Sequence, residues 1–124
     1  MSKKIIIAED SSVIQNIIKK VLAQLKFEIT SVKNGKQVLD LLQKDTFDVV
    51  LMDIFMPQMD GMECSRAIRK LENDNKSIPI LAITGNANNY TQKDFEEAGI
   101  NEFLPKPLNY DNLVETVKSY TNGG

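Results

Sequence analysis

An α/β fold with a parallel sheet covered by helices on both faces is predicted by three observations. Strand-like and helix-like patterns alternate five times along the chain. Val49-Val50-Leu51-Met52 is continuously apolar and reads as a buried strand. Residues able to do chemistry stand at the ends of four strand-like runs, where open α/β sheets bind ligands.

The elements follow in order. Residues 4–8 form the first apolar run. Val13, Ile14, Ile17, Ile18, Val21, Leu22 and Leu25 then recur at helical spacing, and Ser12 with Gln15 predicts a capping box. Phe27, Ile29 and Val32 alternate with polar neighbours over 27–32, predicting a strand at a sheet edge. Asn34-Gly35 predicts a turn, and Val38, Leu39 and Leu42 a second helix. Residues 47–52 are the third strand, followed by a loop punctuated by Pro57 and Gly61. Met62, Ala67, Ile68 and Leu71 mark a third helix, Asn73 to Ser77 a polar loop, and 78–83 a fourth strand. The polar stretch from Gly85 to Gln92 leads into a short fourth helix carrying Phe95 and Ala98, closed by Gly99. Residues 100–104 are the fifth strand. Leu113, Val114, Val117 and Tyr120 form the last helical stripe, with Asn109 as N-cap and Leu108 and Leu113 as a hydrophobic staple. Asn122-Gly123-Gly124 reads as a frayed tail. With no repeat or linker, residues 1–124 read as one domain with its core over about 3–120.

Composition narrows the function. The chain is 42% hydrophobic with a net charge of −2, so it can build a core and carries no electrostatic footprint for nucleic acid. A single cysteine, Cys64, allows no internal disulfide and fits a reducing compartment. The N-terminus is too short in apolar residues for a signal peptide, and no run is long enough to span a membrane, so a cytoplasmic protein is expected. The chain has no histidine. That removes Ser-His-Asp and Cys-His catalysis, His-ligated zinc, and a phosphohistidine of its own.

Glu9 and Asp10 end the first run, Asp53 the third, Thr84 the fourth, and Lys106 follows the fifth. A carboxylate closing a buried strand is not there for packing. Acids that converge repel and call for a cation. Oxygen donors alone suit a hard ion such as Mg²⁺. Lys106 adds a positive charge and Thr84 a hydroxyl donor, so the set suits phosphoryl transfer. An Asp carboxylate can serve as nucleophile and yield an acyl phosphate.

In this order, Glu9-Asp10, Asp53 followed by Met56-Pro57-x-Met59-Asp60-Gly61, Thr84, and Lys106-Pro107 resemble the response-regulator receiver domain of two-component signalling. The resemblance runs from about Lys3 to Tyr120. It implies a flavodoxin-like (βα)5 three-layer sandwich with a parallel sheet in the order 2-1-3-4-5. Asp53 would be the phosphoacceptor, assisted by Lys106 and Thr84. Asp10, Asp53 and the backbone carbonyl of Phe55 would bind Mg²⁺, with Glu9 acting through water. Thr84 and Phe103 would form the switch, Phe103 standing where many relatives have Tyr. The Lys106-Pro107 bond is expected to be cis. Phe55 and Asn86 occupy positions that tune loss of the phosphoryl group, and the bulk of Phe55 implies a slow loss.

The implied function is a phospho-accepting switch. It takes a phosphoryl group from a sensor histidine kinase or a histidine phosphotransfer protein. It then changes an effector-binding face formed by the fourth helix, fifth strand and fifth helix, with phosphorylation-dependent dimerisation left open. It is not a turnover enzyme. An aspartyl-phosphate phosphatase would place a second Asp where Phe55 stands. A flavodoxin-like cofactor protein would not put Glu9-Asp10 against a cofactor phosphate. A constitutive binding module would not need the intact acid, Thr and Lys set. The Met1 start argues against a C-terminal fragment of a hybrid kinase.

Overall fold

Isoleucine and valine dominate the strands, where β-branched side chains pack well on a pleated surface. A computed structural model describes residues 3–85 and 90–121. Five strands form one parallel sheet: β1 (Lys4–Ala8), β2 (Glu28–Val32), β3 (Val49–Asp53), β4 (Ile80–Thr84) and β5 (Glu102–Pro105). The order is β2-β1-β3-β4-β5, as the resemblance implied. The chain therefore reverses its direction of winding between β1 and β3.

The period-two alternation of strand side chains divides the apolar residues between two faces. Ile5, Ile7, Val49, Leu51, Leu81 and Ile83 pack with Ile18, Leu22, Leu113 and Val117 of α1 (Ser12–Ala23) and α5 (Tyr110–Thr121). Ile6, Val50, Met52, Ile80 and Ala82 pack with residues of α2 (Gly35–Lys44), α3 (Gly61–Arg69) and α4 (Gln92–Glu97). Each fully buried Ile or Leu contributes about 1.5–3 kcal/mol, so the sheet and its two helical layers carry most of the stability. Met52, Met56 and Met62 are buried and Met59 packs against them, so the methionines serve the core as expected.

Three local expectations need correction. Ser11, not Ser12, caps α1, accepting from the Ile14 amide at 3.3 Å. Gln15 is no capping-box partner; its side-chain amide donates to the carbonyls of Glu9 and Val32, both at 2.8 Å. Asn34-Gly35 is a helix start rather than a turn, because the Asn34 side chain accepts from the Gln37 amide and caps α2. Asn73 to Ser77 is not a plain loop but a short 3-10 helix over Asp74–Ser77. Asn75 holds it in place by donating to the carbonyls of Leu42 and Asp45. The predicted α5 cap is present, with Asn109 accepting from the Asn112 amide at 3.0 Å. Gly99 ends α4 at φ +86°, a conformation only glycine adopts at no cost. The expectations on Asn86 and the Asn122–Gly124 tail lie outside the described residues.

Candidate functional site at the carboxyl ends of the strands

Two neighbouring strands, β1 and β3, end at the reversal of winding, and each delivers a carboxylate there. Asp53 is the last residue of β3 and is 4% exposed; Glu9 follows β1 and is 2% exposed. Lys106 follows β5 and reaches across β4 to both. Its Nζ lies 2.8 Å from Asp53 Oδ2 and 3.4 Å from Glu9 Oε1. The remaining oxygens are also bonded. Asp53 Oδ1 accepts from the Phe55 amide at 3.0 Å, and Glu9 Oε2 accepts from the Ser11 amide at 3.1 Å.

The backbone around these groups leaves little latitude. The Lys106 amide donates to the Thr84 carbonyl at 2.8 Å, which fixes the root of the lysine to the end of β4. The Ile54 amide donates to the Ile83 carbonyl, and Gly61 donates to Ile54. A Cβ on Gly61 would stand 2.8 Å from the Asp53 carbonyl oxygen, so only glycine lets α3 start this close to the acid. The Lys106-Pro107 bond is cis, as expected.

Charge is unbalanced in the site. Burial raises the pKa of Glu9; the Ser11 amide opposes this, Asp53 adds to it, and Lys106 opposes it. Burial pulls Lys106 down, but its hydrogen bond to Asp53 and the charges of Asp53 and Glu9 outweigh that, and its pKa is raised. One ammonium thus serves two buried carboxylates, which is the electrostatic signature of a cation-attracting pocket. The donors are all oxygen, and in charge and donor type they fit a hard divalent ion. Asp10 is exposed and forms no ion pair with Lys106. Among the described residues no three acidic side chains are gathered closely enough to hold an ion by themselves.

Thr84 is fully buried at the end of β4. Phe103 of β5 is half-buried and stacks on Phe95 of α4, with ring centroids 4.9 Å apart. Phe55 is 48% exposed on the loop that follows Asp53.

Sequence reasoning missed two supporting residues. Gln15 ties the loop carrying Glu9 to the end of β2. Arg69 donates to the carbonyls of Gly99, Lys76 and Ile78, pinning the entries to β4 and β5. The only sequence signal for either is a polar residue on an otherwise apolar helix stripe.

The family described as response regulator receiver domain matches residues 5–118. The chain is 37% identical over 123 residues to hybrid signal transduction histidine kinase I of Dictyostelium discoideum, covering 94% of this chain and 7% of that protein. It is 32% identical over 118 residues to the CAI-1 autoinducer sensor kinase/phosphatase CqsS of Vibrio cholerae, covering 95% of this chain and 17% of that protein. The chain thus spans a small part of these curated relatives. Among solved structures, it is similar to the receiver domain of a Pseudomonas aeruginosa sensor histidine kinase, which holds a magnesium ion in its active-site cleft. That similarity has a TM-score of 0.88 at 30% identity, covering 98% of this chain and 99% of that one. Chemotaxis response regulator CheY4 of Vibrio cholerae is similar at a TM-score of 0.87 and 28% identity, covering 97% of this chain and 99% of that one. A buried acid at the end of β3, held by a lysine from beyond β5, therefore sits in a chain that belongs to the response regulator receiver domain family.

Proposed function

We propose that residues 1–124 form one receiver domain that accepts a phosphoryl group on Asp53 from a phosphohistidine of a sensor histidine kinase or histidine phosphotransfer protein. The observation that carries this reading is the 2.8 Å pair between Lys106 and the buried Asp53, with Glu9 alongside. In the transfer, an Asp53 oxygen forms a P–O bond as the donor's P–N bond breaks. Lys106 stays beside the new group and offsets its charge. Thr84 moves toward the phosphoryl oxygens and Phe103 follows. The stacked Phe103 and Phe95 carry the change to the face formed by α4, β5 and α5, where an effector binds. Asp10, Asp53, the Phe55 carbonyl and, through water, Glu9 would hold Mg²⁺, which when bound neutralises charge on the phosphoryl group. The magnesium in the cleft of the Pseudomonas aeruginosa receiver supports that assignment.

The chain is read as a switch rather than a turnover enzyme, and as a cytoplasmic one; no helix among the described residues is long and apolar enough to cross a membrane. Intact mass after incubation with acetyl phosphate tests the reading. One added phosphoryl group is expected, dependent on Mg²⁺ and absent in Asp53→Asn. No addition to the wild type, with the fold unchanged by beryllofluoride, would make the chain a constitutive binding module instead.

A further inference from the structure

The sheet has two edges, and they differ in how they are protected. β5 is a short edge strand of four residues, Glu102–Pro105. β2 is Glu28-Ile29-Thr30-Ser31-Val32, free of proline and glycine and carrying one charge. The Glu28 amide donates to Lys3, and the Val32 carbonyl accepts from Glu9. Alternation along the strand then turns Glu28, Thr30 and Val32 toward β1, and the backbone groups of Ile29 and Ser31 outward. The Ser31 hydroxyl on this strand is buried without a hydrogen-bond partner. An unblunted edge of this kind is a template for another extended chain.

Beside β2 runs a groove of about 230 Å³ lined by Val32, Gln37, Asp40, Leu41 and Lys44. Val32 and Leu41 are only partly buried, and both pack against the core beneath. The elements around the groove are also rich in lysine. The first 44 residues, which make β1, α1, β2 and α2, hold eight lysines and four acids; the other 80 hold seven basic and 13 acidic residues. A chain of net charge −2 is thus +4 in its first part and −6 in its second. Lys26 and Lys33 flank β2, and Lys36 and Lys44 stand on α2, against Glu28 and Asp40.

We propose that the β2 edge and this groove dock an extended segment of a partner protein in which acidic and apolar residues alternate. The segment adds a strand to the sheet through the outward amides and carbonyls of Ile29 and Ser31. Its apolar side chains enter the groove over Val32 and Leu41, and its acids meet the four lysines. The site stands apart from Asp53, on the far side of β1.

The test is a titration of the whole chain with a short peptide of alternating acidic and β-branched residues, followed by amide NMR and hydrogen exchange. Saturable binding is expected, with new protection of the Ile29 and Ser31 amides. Lys36→Glu with Lys44→Glu should weaken it by about tenfold or more, while phosphoryl uptake from acetyl phosphate stays as in the wild type. A matching peptide with lysines in place of acids should not bind. Absence of binding, equal binding of both peptides, or no loss in the double variant would overturn the proposal. So would a dimer, by sedimentation, in which Ile29 and Ser31 are already protected without peptide; a second copy would then be the occupant.

Discussion

Lys106 is the one cation bonded to Glu9 and Asp53 among the described residues, so replacing it isolates the cost of the buried charge. Lys106→Met leaves both acids without an ion-pair partner. In a metal-free buffer at pH 7 it is expected to lower stability by about 2 kcal/mol, discounted from a fully buried pair because Lys106 is partly solvated. Since burial and Asp53 already raise the pKa of Glu9, the deficit should shrink as pH falls and Glu9 takes up a proton. Urea unfolding at pH 7 and pH 5 checks both statements; an equal deficit at the two values would remove the charge argument. Phe55 offers a second test at this scale. Its side chain is half exposed and its amide bonds the acid, and Phe55→Asn is expected to speed loss of the phosphoryl group by about tenfold, or about 1.4 kcal/mol of barrier. A wild-type phosphoryl lifetime of seconds would already contradict the shielding role.

At the scale of elements, close approach matters more than propensity. Gly61→Ala would set a methyl group 2.8 Å from both the Asp53 carbonyl oxygen and the Ile54 Cα, and those backbone atoms cannot swing aside. A loss of about 1–3 kcal/mol is expected, with slower phosphorylation because Asp53 itself is displaced. Thermal melts and phosphorylation rates should therefore move together; a destabilised protein with an unchanged rate would separate packing from positioning. Arg69→Lys tests a different tie. A lysine cannot span the carbonyls of Gly99, Lys76 and Ile78 at once, so a loss of about 2 kcal/mol is expected in chemical unfolding. The helix starts show where sequence was legible and where it was not. Asn109 was readable as a cap because it stands between Leu108 and Leu113, which are spaced as a hydrophobic staple. Ser11 and Ser12 offer the same hydroxyl in succession, and the choice falls on Ser11 because Gln15 is drawn under the loop to bond Glu9 and Val32.

Over the whole molecule, the alkaline limit of stability can be read from buried protons. Burial, and then the charge of Asp60, push the Cys64 thiol up to about 12 from an ordinary value of 9.0. A group whose folded pKa is raised stabilises the fold below its unfolded value, and that contribution is lost as pH rises through the folded value. Stability should thus decline from about pH 9 toward pH 12, by roughly 1 kcal/mol per pH unit from this thiol. Lys106, whose pKa is also raised, joins the decline above 10.5. Guanidinium unfolding across that range, compared between the wild type and Cys64→Ala, should show a shallower slope in the variant. Iodoacetamide should label Cys64 only on unfolding, because its Sγ is buried and donates to the Gly35 carbonyl.

The sequence by itself determined the alternation of strands and helices, the parallel sheet, and the acids, hydroxyl and lysine at the strand ends. These are local facts: apolar periodicity reports which face is buried, and a charged residue closing an apolar run has few structural explanations. The order of the strands came through the family resemblance, because periodicity alone does not say which strands are neighbours. Only the tertiary structure decided how Lys106 divides itself between Asp53 and Glu9, and why Gln15 and Arg69 are polar. Each of these depends on residues distant in sequence meeting at fixed distances, and that information exists only once the sheet has closed the long loops between them.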